Sequence, residues 1–155
     1  MTTTQHSVTH GSFTVERTVN ATPARVFAAF ADLEQKKRWF NGPPDWDPDV
    51  HEAFEFRPGG REASTGGPKG GPVHRFEARY YDILENERIV YAYEMYLDAA
   101  RISVSVTSIE FRPQGGGTHV VLTEHGVHLD GHDTPEGREE GTRYMLEAMA
   151  QSVEA

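Results

Sequence analysis

Between residues 123 and 133 the chain sets Glu124, Asp130 and Asp133 among His125, His128 and His132, directly before its last helical segment. Carboxylates and imidazoles this close together can bind a metal or transfer protons. The spacing is poor for a metal. Glu124 continues the alternation of Val120 and Leu122, so it projects to the inner side of a strand while His125 projects to the outer side. His132 and Asp133 fall in a loop, convergent ligands with a supporting second layer are not in evidence, and neither a metal nor another cofactor is expected. Proton transfer needs only Glu124. A carboxylate turned into a core requires a partner, a proton or a ligand. Arg17, on the inward face of its own strand, is the expected partner in a structural ion pair, and this reading ranks above catalysis. Glu124 is nonetheless the single candidate catalytic residue, as the general acid or base of a cyclase or dehydratase. No Ser/His/Asp arrangement, nucleophile elbow or nucleotide-binding motif offers a different chemistry.

The elements that must position Glu124 follow from periodicity and turn chemistry. Phe13, Val15, Arg17 and Val19 alternate as a half-buried strand. Thr22 and Pro23 then open a short amphipathic helix carrying Val26, Phe27, Phe30 and Leu33, and Asp32 caps a second short helix over 34–40, stopped by Asn41-Gly42-Pro43-Pro44. From 50 to 127 the chain reads as antiparallel strands over 51–56, 61–65, 73–84, 89–97, 102–112 and 118–127, joined by short turns as a meander. The glycine-rich stretch 66–72 reads as a hairpin loop without regular structure, and it lacks the spacing and following helix of a phosphate cradle. In the strand over 102–112 the apolar positions change parity after Val106, which predicts a β-bulge near Thr107 and Ser108. Thr134 caps the last helix, whose apolar stripe is read as Tyr144, Met145, Ala148, Met149 and Ser152. These elements give an α+β fold: a curved antiparallel sheet closed by one long C-terminal helix.

Length and charge bound the function. A chain of 155 residues is one domain, here 12–155, after a polar leader over 1–11 expected to be disordered. A net charge of −9 argues against a nucleic-acid partner. The one basic cluster, Arg25 with Lys36, Lys37 and Arg38, reads as a solvated face. No stretch is apolar enough to span a membrane, no secretory leader is visible, and a cytoplasmic protein is expected. The absence of cysteine removes thiolate chemistry and is compatible with any redox compartment.

Between sheet and helix the sequence offers an unusual stock of aromatic rings. Trp39 and Trp46 from the helical connector, Phe56, Phe76, Tyr80, Tyr91, Tyr93 and Met95 from the strands, and Tyr144, Met145 and Ala148 from the last helix are expected to line a cavity with Glu124. Gly141, one turn before Met145, leaves room beside them. Any one of these rings read alone is ordinary core. As a group they suit a steroid-, polyketide-, aromatic- or lipid-like ligand.

The order of elements resembles the helix-grip fold of the START/Bet v 1-like (SRPBCC) superfamily. Several motifs narrow the resemblance: Val15-Glu16-Arg17-Thr18, Ala21-Thr22-Pro23-Ala24-Arg25-Val26-Phe27, Arg38-Trp39-Phe40, Phe56-Arg57-Pro58-Gly59-Gly60-Arg61-Glu62, Glu87-Arg88-Ile89-Val90-Tyr91 and Gly115-Gly116-Gly117-Thr118. Together they are similar to the branch named for the activator of heat-shock-protein 90 ATPase (AHSA-type), from Phe13 to about Ala150, most of whose bacterial members are uncharacterised. The resemblance implies a cavity between sheet and long helix, and a small apolar ligand as principal partner. It also raises a chaperone-interaction role, ranked last, and a homodimer formed through sheet edges. Two departures bear on the site. Relatives often carry Trp in the first turn of the last helix, where this chain has Thr142 after Gly141, which implies a larger or more open cavity. Others place His at the end of the last strand, where this chain has Glu124.

Overall fold

Turn chemistry and alternation account for most of the architecture, which a computed structural model describes for residues 6–154. The strands are β1 (Val8–Val19), β2 (Trp46–Phe54), β3 (Arg61–Pro68), β4 (His74–Leu84), β5 (Arg88–Leu97), β6 (Ala100–Gln114) and β7 (Gly117–Leu129). Helices α1 (Pro23–Ala31) and α2 (Leu33–Lys36) separate β1 from β2, and α3 (Pro135–Glu154) closes the chain. All seven strands form one antiparallel sheet in the order β1-β7-β6-β5-β4-β3-β2. The meander from β2 to β7 uses only neighbouring hairpins, and β1 returns beside β7. The two short helices therefore carry the chain from one edge of the sheet to the other, while α3 packs against β1 and α1. This is the helix-grip arrangement expected from the order of elements.

Local chemistry sets the helical connector. The Thr22 side chain accepts from the Arg25 N–H, Pro23 occupies the first turn, and Val26, Phe27, Ala29 and Phe30 turn into the core. Asp32 ends α1 and caps α2 at once: its N–H bonds the Ala28 carbonyl and its side chain accepts from the Glu34 N–H. The core beneath is aromatic, with Phe111 edge-on to Phe27 and Phe30 at 5.5 Å and Phe30 edge-on to Trp39 at 4.9 Å.

Several expectations are corrected. The sheet begins at Val8, inside the stretch 1–11 read as a disordered leader, because β7 runs on to Leu129 and supplies backbone partners from Gly126 to Leu129. Backbone pairing of this kind does not require apolar side chains. Residues 1–5 lie outside the described residues. Helix α2 is a single turn ending at Lys36, and β2 begins at Trp46 and stops at Phe54. Gly66, Gly67 and Pro68, read as loop, complete β3. No bulge interrupts β6 at Thr107 and Ser108, where pairing with both neighbours is continuous; the shifts lie at Met95/Tyr96, at Tyr80/Asp82 and, between β2 and β3, at Asp47/Val50 and His51/Ala53. The change of parity has a different cause. Val104 and Val106 face outward and are exposed, while Ser103, Ser105 and Thr107 face inward and are buried. The inner face is polar at this end because it meets charged groups. In α3 the buried stripe is Leu146, Met149, Ala150 and Val153, so of the expected Tyr144, Met145, Ala148, Met149 and Ser152 only Met149 is fully buried. None of the buried residues lies before Leu146, so the first half of α3 spans an opening.

Candidate functional site

Beneath that half-helix lies a cavity of about 430 Å³. Its floor is the inner face of β3 to β7, its roof is α3 from Arg138 to Leu146, and the connector residues 41–46 form one lip. Every residue expected to line it does so except Ala148, which lies past the point where α3 settles onto the core. Tyr144 is half-exposed and stands at the mouth. Trp46 folds over Gly42, where a Cβ would collide with the indole, and its ring lies 4.8 Å from that of His74. Trp39 is at once wall and core, anchored by its indole N–H to the Ala29 carbonyl at 3.0 Å.

The tyrosines build the floor. Register places Tyr80 opposite Tyr91, and ring centroids are 5.9 Å apart from Tyr80 to Tyr91 and again from Tyr91 to Tyr93. A buried carboxylate terminates the row at each end. The Tyr93 hydroxyl donates to Glu124 Oε2 at 2.9 Å, and the Tyr80 hydroxyl donates to Glu62 Oε1. These hydroxyls are thus committed inside the protein, not to solvent.

Glu124 is 3 % exposed and faces inward, as its alternation requires. Its partner is not Arg17, which instead bonds Glu147 and Glu154 of α3. Besides Tyr93, Thr107 donates to Oε1 at 2.9 Å, and the Arg138 guanidinium stands 3.8 Å away. Arg138 also donates to the Tyr93 hydroxyl at 2.9 Å, to Ser103 at 2.7 Å and to Asp133 at 3.0 Å. Burial pushes the Glu124 carboxyl above its ordinary value, outweighing the Tyr93 and Thr107 hydrogen bonds and the Arg138 charge that pull it down. Burial thus shifts the balance toward the protonated form, the direction a general acid requires. The other groups of the 123–133 stretch do not join it in the wall. His125 is exposed on the outer face, Asp130 bonds the Ser7 N–H, and His128 is buried behind the cavity wall, 4.0 Å from Asp133. Among the described residues no group of His and carboxylate side chains converges as metal ligands.

The opposite end was missed by sequence reasoning. Lys36, read as part of a solvated basic face, is 6 % exposed, and its Nζ donates to Glu62 Oε1 at 2.7 Å. His51 Nε2 lies 3.1 Å from Glu62 Oε2. Burial would raise the Glu62 carboxyl, but the Lys36 charge and the His51, Lys36 and Tyr80 hydrogen bonds prevail and hold it at about 2. Glu124 in the cavity wall and Glu62 buried behind its other end are thus tuned in opposite directions. Asp49, half-buried in the wall nearby, is pushed up to about 6 by burial, against the His51 charge. One signal was available: Glu62, Ser64 and Gly66 share the inward parity of β3. Arg138 had a signal too, since the stripe through Gly141 and Met145 extends back to it at helical spacing.

Gly141 sits in α3 with nothing within 4 Å of where its Cβ would be. Gly141→Ala should therefore stabilise the protein by up to about 1 kcal/mol through helix propensity alone. Chemical denaturation checks this, and a loss of stability would show that the bare backbone is needed there.

Comparison with known proteins places this geometry. Residues 20–154 match the family model described as Activator of Hsp90 ATPase homolog 1-like protein. The crystal structure of Mll3558 from Rhizobium loti is 43 % identical, with a TM-score of 0.85, over 94 % of this chain and 99 % of that one. An uncharacterized protein from Rhizobium leguminosarum is 38 % identical, with a TM-score of 0.91, over 97 % and 99 %. Protein CV1439 from Chromobacterium violaceum is 25 % identical, with a TM-score of 0.82, over 93 % and 97 %. No curated protein matches the chain. With a family model covering most of its length and solved structures superposing over nearly all of it, the chain belongs to the Activator of Hsp90 ATPase homolog 1-like family.

Proposed function

We propose that this protein encloses a small apolar or aromatic molecule, of polyketide-, steroid- or lipid-like character, between the sheet and α3, with Glu124 fixing its polar end. One observation carries the reading: a cavity of about 430 Å³ walled by aromatic rings, with a few buried polar groups set into the wall. That volume falls within the range of about 300–1,000 Å³ usual for small-molecule sites. Protein purified from its host and analysed by native mass spectrometry, then by denaturing extraction, should release a stoichiometric apolar compound. A panel of such compounds should raise Tm. Gly141→Trp, which places an indole where the helix leaves the mouth open, should abolish both effects while the fold persists. An empty protein whose Tm no compound raises would reject the reading.

A second reading, a cyclase- or dehydratase-like enzyme, draws on one observation of its own: the Glu124 carboxyl is raised, buried and bonded to a phenol. It requires Glu124→Gln to abolish turnover and leave affinity nearly intact; equal loss of both would favour binding alone. A chaperone-interaction role rests on the family description alone, and an unchanged chaperone ATPase rate on titration would remove it. No helix of the described residues is long and apolar enough to cross a membrane.

A further inference from the structure

At the β2–β3 end, the cavity presents polar groups that have no hydrogen-bond partner among the described residues. Glu62, Ser64 and Gly66 follow one another along the inner face of β3, and register sets His51 of β2 opposite Ser64. Glu62 is fully engaged by Lys36, His51 and Tyr80. Ser64 is not. It lines the cavity, is 1 % exposed, and its hydroxyl has no hydrogen-bond partner among the described residues.

Asp49 stands beside it in the wall. Its Oδ1 rests against the bare Cα of Gly66, where any Cβ would collide with it, so the glycine is what lets the carboxylate into the cavity. The Asp49 backbone N–H bonds the Asn41 side chain at 3.1 Å, but among the described residues no donor reaches the carboxylate. Aromatic rings complete this end: Trp46, Phe40 and Phe76 all line it. Lys36 Nζ lies 4.5 Å from the centre of the Phe40 ring, which shows that this wall already accommodates an ammonium over a ring face. That ammonium is committed to Glu62 at 2.7 Å and leaves Asp49 unmatched.

We infer that this end of the cavity recognises an organic ammonium, a primary or secondary amine on an apolar or aromatic body, whose N–H groups bond the Asp49 carboxylate and the Ser64 hydroxyl while the body lies over Tyr91 and Tyr93. The inference rests on the cavity reading, names its ligand class, and places a second polar contact at the end of the cavity opposite Glu124. An anionic head would meet the Asp49 carboxylate as a like charge. A neutral alcohol would satisfy one hydrogen bond and leave the carboxylate charge without a counter-ion. The net charge of −9 acts in the same direction, enriching cations near the surface.

Three matched probes test this by calorimetry near neutral pH: naphthylethylamine, naphthylethanol and naphthylacetate. The amine should bind about tenfold or more tightly than the alcohol, the margin of a charge-assisted over a neutral hydrogen bond, and the carboxylate should bind weakest. Asp49→Asn keeps the shape of the side chain and removes a charge that burial disfavours, so it should fold with a Tm no lower than that of the wild type. It should also bring amine and alcohol to within about twofold of each other. Gly66→Ala, which retains the charge but drives the carboxylate off its seat, should narrow the preference as well. An amine preference that survives Asp49→Asn, or wild-type protein that binds the alcohol or the carboxylate as tightly as the amine, would overturn the ammonium assignment and leave the cavity reading standing. Failure of all three probes, together with no response to the apolar panel, would remove both.

Discussion

Glu62→Ala is expected to lower the stability of this protein by about 3–5 kcal/mol, the usual penalty for stranding a buried ion without its partner. Glu62 is fully buried, and it is the counter-ion of Lys36 and the hydrogen-bond acceptor of Tyr80 and His51. For a domain of this size that corresponds to a Tm lower by roughly 10 °C. Lys36→Met combined with Glu62→Leu should recover most of the loss, because it removes both charges and keeps the volume. The pH dependence has a definite sign. The folded carboxyl titrates at about 2 against an ordinary 4.5, so its contribution is complete above the ordinary value and is lost as pH falls from there toward 2. Urea unfolding as a function of pH should show that decline in the wild type and a flatter profile in the double variant. A single variant within about 1 kcal/mol of wild type would mean that Lys36 finds another partner or water, and the buried pair would lose its structural role.

Arg138→Met should have the second-largest effect and a different signature. Its guanidinium is 11 % exposed and ties the first turn of α3 to Tyr93 and Ser103 on the sheet and to Asp133 before the helix. Removing it leaves Asp133 without its ion pair and costs about 2–3 kcal/mol for the lost charged hydrogen bonds. No buried side chain holds α3 before Leu146, so amide hydrogens of 136–145 should exchange faster while those of 146–153 stay protected. The substitution also withdraws a positive charge from Glu124, whose folded carboxyl already lies above its ordinary value. Below that raised value Glu124 holds its proton in both folded forms, so the added instability should appear as pH rises through it and vanish below it. Adding Glu124→Gln should abolish that pH-dependent part. Protection lost uniformly along α3 would show that Arg138 does not latch the first half of the helix.

How far the site could be read in advance depended on whether each residue's role was local or relational. Glu124 was legible because parity along one strand is a property of that strand, and Val120 and Leu122 declared which side was inward. The tyrosine floor followed from the same alternation in β4 and β5. Lys36 was not legible, because a lysine beside Lys37 and Arg38 has the local signature of a solvated face. Its burial depends on Glu62, 26 positions away, which reaches it only once β3 lies under the end of α2. The change of parity in β6 misled for a related reason. A run of Ser103, Ser105 and Thr107 reads as outward-facing until Arg138 and Glu124 arrive to make the inner face polar.

From the amino acids alone came the elements, their order, the antiparallel sheet closed by a C-terminal helix, the inward turn of Glu124 and most of the aromatic wall, all consequences of periodicity and turn preference acting over a few residues. Tertiary structure alone decided which charges meet: Arg17 with Glu147 and Glu154 instead of Glu124, Arg138 with Tyr93, Lys36 with Glu62, and Asp49 with no hydrogen-bond donor among the described residues. The physical reason is range. Backbone preferences act between neighbours in sequence, whereas the protonation and pairing of buried groups depend on whatever the fold brings within a few ångströms and on how much water it excludes.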